Sequence, residues 1–227
     1  MAEAVPQSAV QIAAAGVLLD GDLAVPSPAR GVVLFAHGSG SGRHSPRNRR
    51  VAAAFQQAGY ATLLMDLLTR PEEEVDARTR ELRFDIPRLA ARLTGAVDWL
   101  AARNGVASLP IALFGASTGA AAALMTAAER VDRVRLVISR GGRPDLAGAA
   151  LAGVQAPVLL IVGGKDREVH QLNVEAASRM NVQADIVIIP GASHLFEEPG
   201  TLDAVIDTAI GALRQHLPRP GPRPACQ

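Results

Sequence analysis

The chain of 227 residues has few cysteine and aromatic residues and almost no net charge. Its single cysteine, Cys226, cannot form an intramolecular disulfide, which agrees with a reducing compartment. Aromatic residues make up only 3% of the sequence, so the core must be built from aliphatic side chains. A net charge of +1 gives no overall field that would attract nucleic acid or a membrane surface.

Targeting and metal-binding signals are also lacking in the sequence. No stretch approaches the roughly 20 apolar residues of a membrane-spanning helix. Residues 1–8 include Glu3 and have no basic flank, so we expect no signal peptide and a cytoplasmic protein. The histidines, cysteine and acidic residues show no zinc-ligand spacing, and the first glycine-rich loop lacks the Gly-Lys-Ser/Thr ending of a phosphate loop. We therefore expect no metal, no other cofactor, no nucleic-acid partner and no membrane contact.

Hydrophobic residues make up 48% of the sequence and fall into short runs that alternate with helical segments. The first region, residues 11–25, predicts a hairpin that turns at Asp20-Gly21-Asp22. Further strands are predicted over residues 31–36, 61–65, 111–114, 134–138, 158–162 and 184–189. Helices are predicted over residues 52–58, 85–103, 120–130, 168–180 and 201–216.

This alternation predicts an α/β fold with a mostly parallel, doubly wound sheet of about eight strands. The first two strands are expected to be antiparallel, and helices should cover both faces. We expect one domain over residues 1–217 and a disordered, proline-rich tail over residues 218–227. Only about twenty residues separate the sixth and seventh strands, so we expect no lid domain and an open site.

The pentapeptide Gly115-Ala116-Ser117-Thr118-Gly119 lies between a predicted strand and a predicted helix. Strand, Gly-x-Ser-x-Gly and helix form the context of a nucleophile elbow, a sharp turn that exposes a serine hydroxyl. The two glycines let the strand and the helix approach closely. The alternative is an ordinary turn whose serine caps the helix.

Three other polar segments follow predicted strands, where the function of such a sheet is located. His37-Gly38-Ser39-Gly40-Ser41-Gly42 follows the third strand, Asp166 the seventh and His194 the eighth. The order Ser, Asp, His is that of an α/β-hydrolase triad. We interpret Ser117 as the nucleophile, His194 as the base and Asp166 as the group that orients it. His170, one helical turn after Asp166, is the alternative base.

An acyl-transfer site also needs hydrogen-bond donors for the negatively charged oxygen of the intermediate. The backbone N–H groups of Thr118 and Ser39 are the predicted donors, because they start the elbow helix and the loop after the third strand.

Arg140 and Arg143 follow the sixth strand at the same end of the sheet. We predict that they bind a carboxylate or phosphate of the substrate, with Arg140 the stronger candidate. His37 is a third substrate-binding candidate. The alternative is that these arginines are solvated loop charges and a helix cap.

On these motifs the chain resembles the α/β-hydrolase superfamily and, within it, the dienelactone hydrolase-like group. The resemblance extends from about residue 11 to residue 217. It rests on four motifs: His37-Gly-Ser-Gly-Ser-Gly42, Gly115-Ala-Ser-Thr-Gly119, Gly163-Gly-Lys-Asp166 and Gly191-Ala-Ser-His194. It implies a cofactor-free esterase or lactonase that acts through an acyl-serine. Dienelactone hydrolases themselves use a cysteine nucleophile, so Ser117 argues against dienelactone as the substrate.

The resulting prediction is a serine hydrolase of small carboxylic esters, thioesters or lactones. An acyltransferase would use the same acyl-enzyme with a different acceptor. A non-catalytic small-molecule receptor on the same fold is the alternative from another functional class.

Overall fold

A computed structural model of the protein describes residues 5–218. The strands are β1 Gln7–Ala14, β2 Val17–Ala24, β3 Val32–Ala36, β4 Ala61–Met65, β5 Ile111–Ala116, β6 Val134–Arg140, β7 Val158–Gly163 and β8 Ala184–Ile189. The helices are α1 Pro46–Gln57, α2 Arg70–Thr79, α3 Ile86–Ala101, α4 Thr118–Glu129, α5 Arg167–Ser178 and α6 Thr201–His216. Two 3₁₀ segments cover Leu82–Phe84 and Pro144–Gly153.

All eight strands form one sheet in the order β1-β2-β4-β3-β5-β6-β7-β8. β1 and β2 pair antiparallel, β2 pairs antiparallel with β4, and all pairings from β4 to β8 are parallel. The predicted α/β-hydrolase fold is therefore confirmed. In this topology β3, β5, β6, β7 and β8 bring their carboxyl ends to one edge of the sheet, where the predicted site residues follow.

The turn predicted for the first hairpin is wrong. The chain reverses at Ala15 and Gly16, which both have positive φ (48° and 78°), as a tight hairpin turn requires. Gly21, predicted to turn, lies inside β2 and pairs with Val10 and Met65. A side chain there would lie 2.7 Å from the Ile12 side chain, so this glycine permits close packing instead.

Helices cover both faces of the sheet, as predicted, and each face has its own apolar core. α3 and α4 pack on one face through aliphatic side chains such as Leu93, Val97 and Leu124. α1 and α6 pack on the other face through Phe55, Val205 and other residues. Since the central strands are buried on both faces, their side chains are almost all apolar.

Three helical segments, α2 and both 3₁₀ segments, have no counterpart in the prediction. α2 is strongly charged, with Val75 and Ala77 as its aliphatic side chains, so it lacks the apolar periodicity from which helices are predicted. It begins instead with a capping box formed by Thr69 and Glu72. The segment Pro144–Gly153 connects β6 to β7 and is broken at Gly148, where φ is 57°. This connection is too short to contain a lid domain between β6 and β7.

No helix within residues 5–218 is both long and apolar enough to cross a membrane. Residues 219–227, nearly all of the tail predicted to be disordered, lie outside the described residues.

Three phenylalanines form the aromatic centre of the core between the sheet and α1. The ring of Phe114 lies 5.0 Å from that of Phe35 and 5.7 Å from that of Phe55, centroid to centroid. We expect Phe114→Ala to lower the free energy of unfolding by about 3–5 kcal/mol, because it leaves a cavity under the sheet edge. Urea denaturation followed by circular dichroism measures this change.

The matched control is Phe84→Ala, since Phe84 is 57% exposed whereas Phe114 is 1% exposed. That variant should change the free energy of unfolding by about 0.5 kcal/mol or less. Equal losses in the two variants would contradict the assignment of Phe114 to the core.

Candidate active site

Ser117 occupies a strained turn between β5 and α4. Its backbone angles are φ 50° and ψ −124°, a conformation that costs a non-glycine residue about 1–3 kcal/mol. Hydrogen bonds hold the turn, because the Ser117 carbonyl accepts from the N–H groups of Ala120 (3.1 Å) and Arg143 (3.0 Å). Its side chain makes no capping hydrogen bond to α4, so the helix-capping alternative is wrong.

The glycines on either side of this turn are required by space. A Cβ on Gly119 would lie 2.2 Å from the carbonyl oxygen of Ala36, and one on Gly115 would lie 2.5 Å from Cα of Ala120. These positions bring α4 and the end of β3 against the turn. The N-terminus of α4, with its partial positive charge, therefore lies directly at Ser117.

Asp166 and His194 are joined by a short hydrogen bond. Oδ2 of Asp166, which follows β7, lies 2.6 Å from Nδ1 of His194, in the loop after β8. Asp166 is the N-cap residue of α5, but its side chain makes no capping bond and pairs with the imidazole instead. Because Nδ1 is engaged, Nε2 is the ring nitrogen that can exchange a proton. The carboxylate therefore orients His194, and the alternative base His170 meets Asp166 only through a backbone hydrogen bond.

The loop after β6 contacts both Ser117 and His194. Gly141 has a φ of 52°, and a Cβ added to it would lie 3.0 Å from the carbonyl oxygen of His194 and 3.6 Å from its Nδ1. Two residues later, the Arg143 N–H bonds to the Ser117 carbonyl. One short loop thus contacts both residues, which lie at the same end of the sheet.

Glu198 holds the loop that carries His194, a role that was not predicted from the sequence. Its carboxylate accepts hydrogen bonds from the N–H of Ser193 at 3.0 and 3.1 Å and from the Ser193 hydroxyl at 3.2 Å. These bonds, with a smaller contribution from nearby Lys165, lower the pKa of Glu198. The only signal in the sequence is an acidic residue four positions after His194, which is too common to indicate this role.

The two residues whose backbone N–H groups are the predicted oxyanion donors touch through their side chains. Ser39 Oγ is 3.0 Å from Thr118 Oγ1, and a Cβ on the adjacent Gly38 would lie 3.0 Å from Cβ of Ser117. Asp66 braces this loop, since its carboxylate accepts the Arg43 backbone N–H at 2.7 Å and pairs with the Arg43 guanidinium. As the first residue of α4, Thr118 has an N–H without a partner in the helix ladder.

His37 is buried beside this loop, and both of its ring nitrogens contact the backbone. Nε2 accepts the Leu67 N–H at 3.0 Å, so Nδ1 carries the proton and donates to the Gly38 carbonyl, also at 3.0 Å. Burial lowers the pKa of His37 and favours the neutral ring. Since His37 ties the ends of β3 and β4 together, the geometry argues against its predicted substrate contact.

The two candidate arginines differ in their surroundings. Arg143 forms a two-point ion pair with Asp145, at 2.9 and 2.7 Å, which occupies its guanidinium. Arg140, at the end of β6, is buried and has no such partner among residues 5–218. The geometry thus weakens the substrate-binding prediction for Arg143 and leaves Arg140 as the candidate.

A cavity of about 820 Å³ opens beside this site. It extends from Ser39 and Thr118 along the start of α1 to α2, with polar side chains over most of its wall. Within residues 5–218, no group of three or more His, Cys, Asp or Glu side chains is arranged to hold a metal ion.

Comparison with known proteins assigns the family. The model of the Dienelactone hydrolase family matches residues 19–214. The chain belongs to this family. A dienelactone hydrolase from Anabaena variabilis, solved as a crystal structure, is 54% identical with a TM-score of 0.92, and the match covers 95% of this chain and 100% of that one.

More distant structures share the fold of this dienelactone hydrolase family member. A serine α/β-hydrolase without a lid from Xanthomonas campestris has a TM-score of 0.74 at 19% identity, over 96% of this chain and 100% of that one.

Two curated relatives are much longer than this chain. Both come from Mycobacterium tuberculosis, carry the provisional name phosphoribosyl transferase and are 54% identical over 213 residues. The match covers 94% of this chain and 47% of each relative, so the chain spans about half their length.

The buried His37 predicts a pH dependence of stability. Its pKa in the folded protein lies below the ordinary value of 6.5, so the unfolded chain binds more protons between these two values. The neutral, buried ring of His37 therefore contributes its full stabilisation of the folded protein above pH 6.5. That stabilisation is lost as the pH falls towards the pKa of His37 in the folded protein. We expect the urea midpoint of the wild type to fall between pH 7.5 and 5.5, and the fall to be smaller in His37→Gln.

His44→Gln, at an exposed position, is the matched control and should keep the pH dependence of the wild type. An unchanged slope in His37→Gln would show that His37 is protonated as readily in the folded protein as in the unfolded chain.

Proposed function

We propose that this protein is a serine hydrolase that cleaves carboxylic esters, thioesters or lactones through an acyl-Ser117 intermediate. The observation that carries the proposal is the 2.6 Å bond between Asp166 and His194, at the same end of the sheet as the strained Ser117 turn. This combination supplies a nucleophile, a base and an orienting carboxylate.

In the first step, the Ser117 hydroxyl oxygen attacks the substrate carbonyl carbon while Nε2 of His194 takes the hydroxyl proton. Asp166 holds the imidazole with Nδ1 protonated and stabilises the imidazolium that forms. When the tetrahedral intermediate collapses, the bond to the leaving group breaks, and His194 donates its proton to the departing alcohol or thiol.

The negative charge of the intermediate is assigned to the backbone N–H groups of Ser39 and Thr118. The side-chain contact between these residues and the α4 N-terminus at Ser117 support this assignment. One such donor is worth about 3–4 kcal/mol of transition-state stabilisation.

Water completes the cycle. It attacks the acyl carbon as His194 takes one of its protons, and the acid product leaves as Ser117 regains a proton. The short β6–β7 connection places no inserted domain over Ser117, and the cavity at the neighbouring Ser39 and Thr118 leaves room for water and small or protruding substrates beside it.

The names of the relatives bear on the proposal in different ways. The Anabaena dienelactone hydrolase matches this chain over its whole length, which supports hydrolysis of an ester-type bond. The name phosphoribosyl transferase belongs to proteins about twice as long, so it assigns no activity to the half that this chain matches.

Removing the nucleophile should abolish activity. We expect Ser117→Ala to reduce p-nitrophenyl acetate hydrolysis by about 10⁴-fold or more. A fluorophosphonate should label the wild type, and peptide mapping should find the label on Ser117. The rate of nitrophenol release and mass spectrometry measure the two effects.

Ser178→Ala is the matched control, because Ser178 is an exposed residue at the end of α5 and should be dispensable for both rate and labelling. A wild-type rate no higher than that of Ser117→Ala, or a label elsewhere, would overturn the assignment.

Changing the orienting carboxylate should affect the chemical step. Asparagine at position 166 favours the wrong imidazole tautomer, so Asp166→Asn should lower kcat by about 10³–10⁴-fold and change KM only a few-fold. Steady-state kinetics separate the two constants. The control is Asp185→Asn on β8, an exposed carboxylate that pairs with Gln183.

The same assay separates the two candidate bases. His194→Gln should lose activity as completely as Ser117→Ala, whereas His170→Gln should remain active. The opposite pattern would make His170 the base.

A further inference from the structure

Arg140 is a buried cation next to the nucleophile. It ends β6 and pairs in register with Ala116, the residue before Ser117. The residue is only 9% exposed, and its Nη1 atom is fully buried without a hydrogen-bond partner in the described structure. A buried charge without a partner is costly, since it has lost its hydration and gained no compensating anion.

The other arginines around this edge show how unusual this is. Each of the following pairs places an arginine at hydrogen-bond or ion-pair distance from a carboxylate: Arg43–Asp66, Arg50–Asp203, Arg83–Asp76 and Arg143–Asp145. No carboxylate within residues 5–218 offsets the charge of Arg140. The free-energy cost of removing this guanidinium from water is therefore not offset by an ion pair within residues 5–218.

A second arginine lies close by. Arg47, in the first turn of α1, is close enough to Arg140 for its charge to act on it. Burial, with this repulsion added, lowers the pKa of Arg140 to about 10, which leaves the guanidinium charged at neutral pH. Arg47 bonds Glu197 through Nη1 at 2.8 Å, while its Nε is buried and unpartnered in the described part of the chain.

Arg47 also connects this pair to the substrate cavity. It lines the cavity that includes Ser39 and Thr118, the two residues proposed to bind the oxyanion. An anionic group that enters this cavity meets Arg47, whose charge acts on Arg140, while an ester carbonyl lies at Ser117. Guanidinium groups match the oxygens of carboxylates and phosphates with two parallel hydrogen bonds.

We propose that Arg140 and Arg47 form an anion subsite that binds a carboxylate or phosphate group of the ester substrate. The inference rests on the proposed hydrolase function and names its substrate class as esters with an anionic group. A neutral substrate would leave Arg140 buried and unpaired, so the site discriminates against it.

Matched esters test the selectivity. The neutral substrate is p-nitrophenyl butyrate, and the anionic ones are the mono-p-nitrophenyl esters of succinate and of 3-phosphonopropionate. For Arg140→Met we expect the ratio of KM for an anionic ester to KM for the neutral ester to rise about 10–100-fold. The larger change for succinate or for the phosphonate identifies which anion fits the subsite.

The matched control is Arg50→Met, which removes one positive charge from the exposed side of α1. It should leave the ratio of KM values within about twofold of the wild type. An equal loss for neutral and anionic esters in Arg140→Met, or a ratio that follows Arg50→Met, would overturn the subsite.

A binding measurement keeps the subsite separate from the hydrolase proposal. Inorganic phosphate and succinate are titrated by calorimetry into Ser117→Ala and into Ser117→Ala/Arg140→Met, at constant ionic strength. We expect saturable binding that weakens at least 10-fold in the double variant. Thermal melting should show both proteins folded, because methionine replaces a buried, unpaired charge.

The two readouts fail independently. Anion binding that depends on Arg140 in a protein that hydrolyses none of the esters would refute the hydrolase and retain the anion site. Ester hydrolysis without Arg140-dependent anion binding would retain the hydrolase and refute the subsite.

Discussion

The strained backbone of Ser117 is the constraint on which the rest of the site depends. A positive φ at a serine persists only if the surroundings hold it, and here the holding groups come from several elements. β3 and α4 approach so closely that only glycine fits at positions 115 and 119, and the β6 loop bonds the Ser117 carbonyl. The same contacts bring the Ser39 loop and the Gly141 loop beside the serine, so the turn and the site are built by one set of interactions.

Within residues 5–218, the buried and half-buried charges around the site are held by partners of opposite sign, with one exception. Although partial burial opposes it, hydrogen bonds from Arg92 and Thr69 lower the pKa of Glu72 to about 2, and these contacts anchor α2 beside the cavity. Asp66 similarly fixes the loop after β3 through Arg43. In each case the buried or half-buried ion has a partner of opposite sign. Arg140 departs from that rule, and such departures tend to occur where a protein binds a ligand.

The sequence predicted those parts of the fold that depend on local pattern. Apolar runs located the central strands, and the Ser, Asp, His order placed Ser117, Asp166 and His194 after the correct strands. Predictions from the sequence were wrong or missing where contacts between distant segments determine the local structure. Gly21 suggested a turn, but it lies inside a strand and allows close packing there. α2 is held by ion pairs, which leave no periodic pattern of apolar residues in the sequence. The role of Glu198 and the burial of Arg140 depend on how distant loops meet, which one sequence does not encode locally.

The open edge of the sheet explains why buried charge would carry specificity here. The β6–β7 connection holds no lid domain that would enclose a substrate in an apolar chamber, and hydrophobic contact at an open site discriminates weakly between similar molecules. A guanidinium that is already desolvated has lost its water before the substrate arrives, so an anion meets it at an effective dielectric below that of bulk solvent. A cation fixed on a sheet strand next to Ser117, the proposed nucleophile, can therefore position a small ester where a mobile surface arginine could not.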